Sequence, residues 1–569
     1  MSRPFNVDLP GLLRVFGGHL YSNAGVFVRE LVQNGVDAIV EQRRRDPAFA
    51  GRVTITSDES GGIVVVDDDG VGLDHDRIES CLARIAYSSK TDDDDLLGRF
   101  GIGLLSAFLV AKEIVVDTKR DDGEPFRWRA SPDGTYAIER GDRHTRGTTV
   151  RLTIAEGQER YARGAVLREL LETYVRFLPF DVVHEGVRVT VDAPWKAEDP
   201  FEAVRAFAGE LPLAVFRTNA GLLWLRAARG GDGGRMDVFL RGVLLERGTK
   251  KLLPKWGTFV GGVIDAPSLS PTASRETFVD DEASRALAVS VRSVLLDGLA
   301  RLANDDPSAF DRVLAVHSLA LRGACIDHPE LLDAIGDRIP FETNVGPMTL
   351  RALLGRENEK VLRYVATPQD FAHTSPLANA QGIPLVDASY TYDVPFLEAF
   401  SRLRSVSLVR LSIDELEVLI RPAPDVGPRF AKVLAAAREA LEPFGVTPEL
   451  GRFEPTAMPA FLVSDALATH ERAHALATKS SSPLVKGLLA GRPKAELVRF
   501  VLNVENKLVD ALPEVADEDH VRRVVRLLHA QSSMTLRRSL SIAQSRAFSE
   551  DLLALIASQV APTLRGEWN

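Results

Sequence analysis

Helical and strand-like segments are interleaved over the first 180 residues, and this pattern constrains the fold more than any other feature. Residues 10–50 have the apolar spacing of helices, residues 63–66 form a short apolar strand, and residues 147–154 alternate as a strand does. A further helix is predicted over residues 165–180, near Pro179. Because such helices and strands must bury their apolar faces against each other, we predict an α+β sandwich.

The chain is too long for one hydrophobic core, since its 569 residues exceed the size at which a single core stops growing. Two stretches containing proline and acidic residues, 192–200 and 421–428, are candidate linkers. We therefore predict a multidomain α+β protein with domains at 1–192, 193–425 and 426–569. The middle domain is expected to be α/β and the last mainly helical.

Three strands and two helices are predicted for the start of the middle domain. The strands lie near 222–227, 236–246 and 258–265, and the helices lie near 280–304 and 308–322. Strands and helices alternate again from about 358 to 413. In the last domain we predict helices with one strand-like segment, at residues 497–504.

Charge, cysteine content and hydropathy exclude several classes of protein. The net charge of −10 argues against a general nucleic-acid binder, which usually presents a basic face. Two cysteines, Cys81 and Cys325, cannot build a disulfide framework, and this indicates a reducing compartment. There is no apolar run of about 18 residues that would span a membrane, and the N-terminus lacks the pattern of a signal peptide. We expect a cytoplasmic protein without a membrane partner.

The segment "RELVQNGVDAI" at residues 29–39 places polar residues on a helix that is otherwise apolar. Glu30 and Asn34 are four residues apart and share one helix face. The amide oxygen of Asn34 is a suitable ligand for Mg²⁺, and Glu30 can take a proton from a water that attacks phosphate. A solvated helix face with incidental polar residues is the alternative interpretation of this segment alone.

Two glycine-containing segments follow the helix. "DDDGVGL" contains the pattern D-x-G-x-G at Asp68, Gly70 and Gly72, where a carboxylate at a strand end can accept a hydrogen bond from the amine of adenine. "GRFGIGLLSAF" has three glycines before a predicted helix, and backbone N–H groups at such a place favour phosphate. Its glycines are Gly98, Gly101 and Gly103. Each segment alone is also explained as an ordinary turn, and neither is a P-loop.

A fourth segment, "RGTTV", opens a late strand with Gly147 and Thr148. The order of the four segments resembles the nucleotide site of the GHKL ATPase superfamily. "RELVQNGVDAI", "LARIAYSS" and "LGRFGIGLLSAFLVAKEI" resemble the N-terminal domain of the heat shock protein 90 chaperones, the bacterial HtpG type. Residues 236–278 resemble the middle domain of that family, and "LNVENKLVDAL" resembles its C-terminal dimerisation domain.

The resemblance implies a fold and a role for each matching residue. The fold would be an N-terminal GHKL (Bergerat) α/β sandwich, an α/β middle domain and a mainly helical C-terminal dimerisation domain. The catalytic residues would be Glu30, as the general base, and Arg275, which would reach the γ-phosphate. Asn34 would hold Mg²⁺ and phosphate, and Asp68 would recognise adenine. The remaining ATP-binding residues would be Asp37, Gly70, Gly72, Ser88, Gly98, Gly101, Ile102, Gly103 and Thr148.

The resemblance also implies an ATP-dependent molecular chaperone with ATP and Mg²⁺ as cofactors. ATP hydrolysis to ADP and phosphate, expected to be slow, would open and close a homodimeric clamp on client proteins, with the dimer formed through the C-terminal domain. Two alternatives stay open. One is a GHKL ATPase of DNA mismatch repair or of the topoisomerase type, and the other is a nucleotide-binding scaffold that has lost hydrolysis.

Several positions depart from the pattern of the family. The family usually carries asparagine at Cys81, lysine at Tyr87, an aromatic residue at Leu104 and asparagine at Thr272. The lid segment is shortened to "KTDDDD", and its aspartates would repel a triphosphate unless they point outward or meet a cation. These departures motivate the scaffold alternative.

Overall fold

The structure is a computed structural model. It describes residues 11, 23–82, 103–228, 233–272, 274–356, 360–411, 421–463, 498–535 and 539–564. The chain forms two compact units, Met1–Ala320 and Leu321–Asn569. No helix within the described ranges is long and apolar enough to cross a membrane. The division into three domains stays a prediction.

An eight-stranded sheet forms one layer at the start of the N-terminal unit. Its strands are β1 (Arg52–Asp58), β2 (Ile63–Asp68), β3 (Ala111–Lys119), β4 (Phe126–Ala130), β5 (Tyr136–Arg140), β6 (Gly147–Ile154), β7 (Asp181–His184) and β8 (Val187–Arg188). They lie in the order β5-β4-β3-β6-β2-β1-β7-β8, and each neighbouring pair is antiparallel except β1 with β7. The register pairs Asp68 of β2 with Thr148 of β6, so two predicted site residues are neighbours.

Helices α1 (Val26–Arg45) and α2 (Gly164–Tyr174) pack against this sheet. Four apolar residues of α1, Phe27, Leu31, Val36 and Ile39, are at most 2% exposed. Burying a side chain of this size stabilises the fold by about 1.5–3 kcal/mol relative to exposure. Short helical segments connect the layers at His75–Arg77, Ile78–Leu82, Gly103–Leu109 and Glu159–Ala162. The predicted mixture of helices and sheet is confirmed here.

A second, five-stranded sheet follows in the same unit. Its strands are β9 (Pro212–Arg217), β10 (Gly221–Arg226), β11 (Arg235–Leu240), β12 (Val243–Thr249) and β13 (Val260–Asp265), in the order β12-β11-β13-β10-β9. The single strand predicted over residues 236–246 is wrong, because β11 and β12 form a hairpin. Arg241 and Gly242 make its two-residue turn with positive φ angles of 53° and 82°. Turns of this kind fit the twist of the strands that they join.

Three helices accompany the second sheet: α3 (Pro200–Ala208), α4 (Glu282–Asp305) and α5 (Pro307–Asp327). The start of α4 is fixed by a capping box, in which the side chain of Asp281 accepts the Ser284 N–H at 2.9 Å and Ser284 Oγ accepts the Asp281 N–H at 3.0 Å. Both helices predicted near 280–304 and 308–322 are therefore present, and α5 continues to Asp327.

The C-terminal unit begins with alternating helices and short strands. The helices are α6 (Pro329–Ile335), α7 (Leu350–Arg356), α8 (Pro368–Ala380) and α9 (Asp393–Arg404), and the strands are β14 (Pro340–Phe341), β15 (Met348–Thr349), β16 (Val361–Val365), β17 (Val386–Asp387) and β18 (Ser407–Arg410). Strand β16 lies parallel to both β17 and β18. The alternation predicted over residues 358–413 matches this arrangement.

The last part of the chain contains a second sheet of this unit. Its strands are β19 (Arg421–Pro422), β20 (Val446–Arg452), β21 (Ala460–Val463) and β22 (Val498–Asn503), in the order β19-β20-β22-β21. The helices are α10 (Ala431–Leu441), α11 (Lys507–Asp510), α12 (Glu518–Thr535) and α13 (Ile542–Leu564). Of these strands, the sequence predicted only β22. Strand β20 carries Pro448 and Gly451, which weaken the strand pattern, and β21 is too short to show a period.

Candidate active site

Glu30 lies on the buried face of α1, and arginines hold both of its carboxylate oxygens. Oε1 accepts hydrogen bonds from Nε and Nη2 of Arg29 at 3.1 and 3.0 Å, and Oε2 accepts one from Nη1 of Arg275 at 3.2 Å. Glu30 is 3% exposed, Arg29 1% and Arg275 8%. A buried carboxylate is strongly destabilising unless it is paired. The two guanidinium groups supply that pairing.

The loop that carries Arg275 is fastened to α1. The carbonyl oxygens of Ser274 and Arg275 accept hydrogen bonds from the guanidinium of Arg29 at 2.9 and 2.7 Å. Arg275 Nη1 also donates to Gln33 Oε1 at 2.6 Å. The backbone of Arg275 has a φ of 53°, in the left-handed region that a side chain of this kind rarely adopts. These contacts bring together Glu30 and Arg275, which are 245 residues apart.

Asp68 ends β2 and is 7% exposed. Burial raises the pKa of its carboxyl to about 7, while the hydrogen bond from the Gly70 N–H lowers this pKa and the charge of Asp67 raises it further. The Gly70 N–H donates to Oδ1 at 2.9 Å. A carboxyl group with this pKa changes charge near neutral pH.

Glycines allow the backbone to pack closely around Asp68. A Cβ on Gly72 would lie 2.1 Å from the carbonyl oxygen of Lys119, and one on Gly147 would lie 2.0 Å from that of Asp68. Both glycines have positive φ, 69° and 121°. A Cβ on Gly70 would lie 2.6 Å from the Ala38 carbonyl carbon of α1. Substitution at any of the three would displace the turn that presents Asp68.

Thr148 of β6 lies beside Asp68, and Thr118 of the next strand lies beside Thr148. Thr148, 8% exposed, is paired in register with Asp68, and its Oγ1 is 3.1 Å from Oγ1 of Thr118 in β3. Thr118 also accepts a hydrogen bond from the Leu73 N–H at 2.8 Å. The network connects the strand end to the segment after the glycine turn. Thr118 was not predicted, because an isolated threonine in a strand carries no spacing signal.

The two ends of the site meet at α1. A Cβ on Gly35 would lie 3.2 Å from Cβ of Asp68, so the small residue at this position lets the helix approach the strand end. Asn34, the neighbour of Gly35, is exposed and Asp37 is buried, with 1% exposure. The amide of Asn34 is therefore accessible to a ligand lying over the helix, next to the turn that carries Glu30.

Four of the predicted ATP-binding residues lie outside the described residues, namely Ser88, Gly98, Gly101 and Ile102, as does Tyr87. Gly103 is the first residue after this gap, and a Cβ on it would lie 2.7 Å from Glu30 Oε2. The helix predicted after the glycines is a 3₁₀ helix, Gly103–Leu109, followed directly by β3. The described part of the glycine-containing segment therefore begins next to the carboxylate of Glu30.

Arg29, Gln33, Arg143 and Arg146 are site residues that sequence reasoning missed. Arg29 stands beside Glu30 in the sequence, but no spacing distinguishes a buried arginine from a solvated one. Arg143 and Arg146 lie in the connection before β6, where the sequence analysis noted only Gly147 and Thr148. Their partners are backbone carbonyls and Asp67, which are not recognisable without the fold.

A magnesium site, if present, needs ligands beyond those of the protein. Within the described ranges, no group of three or more His, Cys, Asp or Glu side chains is placed to hold a metal ion. Mg²⁺ that accompanies a nucleotide is usually bound by one or two protein groups together with phosphate oxygens and waters. The exposed amide of Asn34 fits this role, since it supplies one oxygen beside the carboxylate of Glu30.

Known ATPases and chaperones are similar to this chain in sequence. The family model described as "Histidine kinase-, DNA gyrase B-, and HSP90-like ATPase" matches residues 21–130. The chain is 24% identical over 628 residues to the chaperone protein HtpG of Shewanella oneidensis, an alignment that covers 94% of this chain and 96% of the relative. This chain is a homologue of the HtpG chaperones.

Two further HtpG relatives align with a smaller share of this chain. The HtpG of Myxococcus xanthus is 27% identical over 427 residues, which cover 63% of this chain and 65% of the relative. That of Desulfitobacterium hafniense is 27% identical over 372 residues, which cover 57% and 61%. The chain thus spans less than two thirds of these two HtpG proteins. The residues matched by the ATPase family model include Glu30, Asn34 and Asp68, whereas Arg275 lies beyond them.

Proposed function

We propose that this HtpG homologue is a cytoplasmic, ATP-dependent molecular chaperone that hydrolyses ATP to open and close on client proteins. The observation that carries the proposal is the buried contact of Glu30 with Arg29 and Arg275, on the helix that also lies against Asp68. In this proposal Glu30 is the catalytic carboxylate, Arg275 supplies positive charge and Asp68 recognises adenine. The HtpG alignment over 94% of the chain and the net charge of −10 favour this function over an enzyme acting on DNA.

Each residue has a separate task in the proposed mechanism. Asp68 accepts a hydrogen bond from the exocyclic amine of adenine, beside Thr148. Asn34 holds Mg²⁺, which neutralises charge on the phosphates when it is bound. Glu30 takes a proton from the attacking water as general base. Arg275 stabilises charge on the phosphoryl group that is transferred.

The contacts of Glu30 suggest how bound ATP would activate this residue as a general base. A general base needs a lone pair that faces the attacking water. In this structure Oε1 of Glu30 accepts two hydrogen bonds from Arg29, and Oε2 accepts one from Arg275. The γ-phosphate of ATP carries more negative charge than a carboxylate and would compete for Arg275. Transfer of Arg275 from Glu30 to phosphate would release Oε2 and at the same time place a cation where charge develops.

Substitution of Arg275 by Ala separates two roles of this residue. We expect ATP affinity to change by no more than about threefold and turnover to fall at least tenfold, because arginines that stabilise phosphoryl transfer contribute about 10³–10⁵ to the rate. Phosphate release at saturating Mg-ATP measures this effect. If Arg275 only restrained Glu30, turnover would rise instead. Arg241→Ala is the matched control, because Arg241 has the same φ of 53° and lies in a hairpin turn.

Apolar residues on the last helix support the proposed homodimer. On α13, Ile542 is 91% exposed, Leu553 66% and Ile556 50%. Leu553 and Ile556 are three residues apart and share a helix face. Exposed apolar patches of this kind mark interaction sites, and a second copy of the chain supplies a self-complementary surface.

The double substitution Leu553→Asp and Ile556→Asp should convert the dimer to a monomer, because two carboxylates would be buried in an apolar interface. Sedimentation velocity measures the change. Leu211→Asp serves as the control, since Leu211 is an exposed leucine, 64% accessible, in the N-terminal unit. The control variant is expected to stay dimeric. A monomeric wild-type protein would contradict the proposed assembly.

A further inference from the structure

The geometry points to Arg143 and Arg146 as positioning residues for nucleotide recognition, acting through the turn that presents Asp68. Both lie in the connection between β5 and β6. Arg146 begins the segment "RGTTV", but the sequence analysis assigned a role only to Gly147 and Thr148 of that segment. The inference rests on the proposed function, since it concerns how Asp68 is held for adenine.

Arg143 is fixed at the end of β2 by several partners. Its Nη1 donates to Asp67 Oδ1 at 2.7 Å and to Thr149 Oγ1, and Thr149 Oγ1 donates to the same carboxylate oxygen at 2.6 Å. Its Nη2 donates to the carbonyl oxygen of Asp68 at 3.2 Å. The side chain is 11% exposed, so these bonds are largely shielded from water. A Cβ on Gly147 would lie 2.7 Å from Nη2, and glycine at this position therefore gives the guanidinium its access.

Arg146 holds the next two residues of the turn. Its Nε lies 3.2 Å from the carbonyl oxygen of Asp69 and 3.1 Å from that of Gly70, a shared hydrogen bond. Its Nη1 donates to both carboxylate oxygens of Asp121 at 3.2 Å. The guanidinium also lies over the ring of Phe49, 4.7 Å from its centre. Arg146 thus ties the turn to the β3–β4 connection and to the segment after α1.

Three consecutive carbonyl groups, those of Asp68, Asp69 and Gly70, therefore accept N–H groups from two arginines. The Gly70 N–H in turn orients Oδ1 of Asp68. Charge-assisted hydrogen bonds are roughly twice as strong as neutral ones, so the turn is held in one position. Because the turn is already restrained, less conformational entropy is lost when Asp68 binds a base.

Arg143 also acts through its charge. The main charges on Asp68 are Asp67 and Asp69 on its own strand end, which raise its pKa, and Arg143, which lowers it. Arg146 lies on the next two carbonyl groups of the turn, whereas Gly35 of α1 and Thr148 of β6, which adjoin Asp68, are uncharged. Together with the Gly70 N–H, Arg143 favours the carboxylate form of Asp68, which is the stronger acceptor for the amine of adenine.

The test compares ATP binding by the full chain, measured by titration calorimetry from pH 5.5 to 8.5, for wild type and Arg143→Met. Wild-type affinity should fall as pH drops below about 7, where Asp68 takes up a proton. Arg143→Met should weaken binding about tenfold at neutral pH, because it removes charge-assisted bonds, and should move the midpoint of the pH profile upward by about half a unit. Protonation of ATP itself is the same for both proteins, so the difference between the profiles reports the protein.

Two further variants make the outcome decisive. Arg143→Lys keeps the charge but not the forked geometry, so it should restore the pH midpoint and only part of the affinity. Arg129→Met removes an arginine of the same sheet that pairs with Glu113 and should leave both values unchanged. If Arg143→Met keeps the wild-type midpoint, or loses affinity only as much as Arg129→Met, the inference is overturned. If wild type itself binds no ATP, the proposed function fails instead.

Discussion

Replacing Asp68 with Asn should abolish ATP binding while leaving the protein folded. The Gly70 N–H would keep the Asn side chain oriented through its oxygen, as it now holds Oδ1 at 2.9 Å. The amide NH₂ would then replace Oδ2 and place a donor against the amine of adenine. Two donors facing each other in a buried pocket lose the hydrogen bond and leave both groups unsatisfied, so we expect a loss of at least about 100-fold in affinity. Titration calorimetry with Mg-ATP measures this loss.

A stability measurement separates lost recognition from misfolding. Because the pKa of Asp68 is raised to about 7 in the folded protein, from 3.8, the carboxylate form destabilises the fold. This penalty is present in full above pH 7 and disappears as the pH falls toward 3.8. Asp68→Asn removes it, so its Tm at pH 8 should equal or exceed that of wild type. Asp133→Asn is the control, since the exposed Asp133 carboxylate accepts the Thr135 N–H in the β4–β5 turn and should not affect binding.

Substitution of Glu30 by Gln should stop ATP hydrolysis without preventing ATP binding. Gln keeps the shape and one acceptor oxygen for Arg29, but it cannot take a proton from water. Loss of a general base reduces rates by about 10²–10⁴, so phosphate release should fall by at least about 100-fold at saturating Mg-ATP. Gln also avoids the unpaired cations that Ala would leave, because Arg29 and Arg275 both use the Glu30 carboxylate.

Glu41→Gln is the control for this substitution, because Glu41 lies on the same helix and pairs with Arg77 away from the site. It should retain wild-type turnover. Equal inactivity of wild type and Glu30→Gln, with ATP still bound, would instead favour a nucleotide-binding scaffold that has lost hydrolysis.

Local sequence patterns predicted the parts of the site that depend on one segment. Glu30 and Asn34 follow from helical spacing, and Asp68 with its glycines follows from a strand that ends in a turn. The structure places Thr148 beside Asp68, as the resemblance implied, because β2 and β6 are paired in this register. Arg275 was indicated by its surrounding sequence, although the structure shows it on Glu30 and Gln33.

Contacts that depend on the tertiary fold were beyond sequence reasoning. Arg29 donates hydrogen bonds to two carbonyl groups in the loop that carries Arg275. Backbone acceptors of this kind have no sequence signature. Arg143 and Arg146 are similar, since their partners are brought to them by the pairing of β2 and β6. The hairpin at Arg241 was missed because its strands are continuous in apolar pattern, and only the positive φ of the turn residues divides them.

Titration of the full chain with Mg-ATP at pH 8 tests the central claim most directly, because Asp68 is then ionised in the empty protein. The account predicts saturable binding of one nucleotide per chain that Asp68→Asn eliminates and Asp133→Asn retains. Absence of binding by wild type, or equal binding by Asp68→Asn, would contradict it.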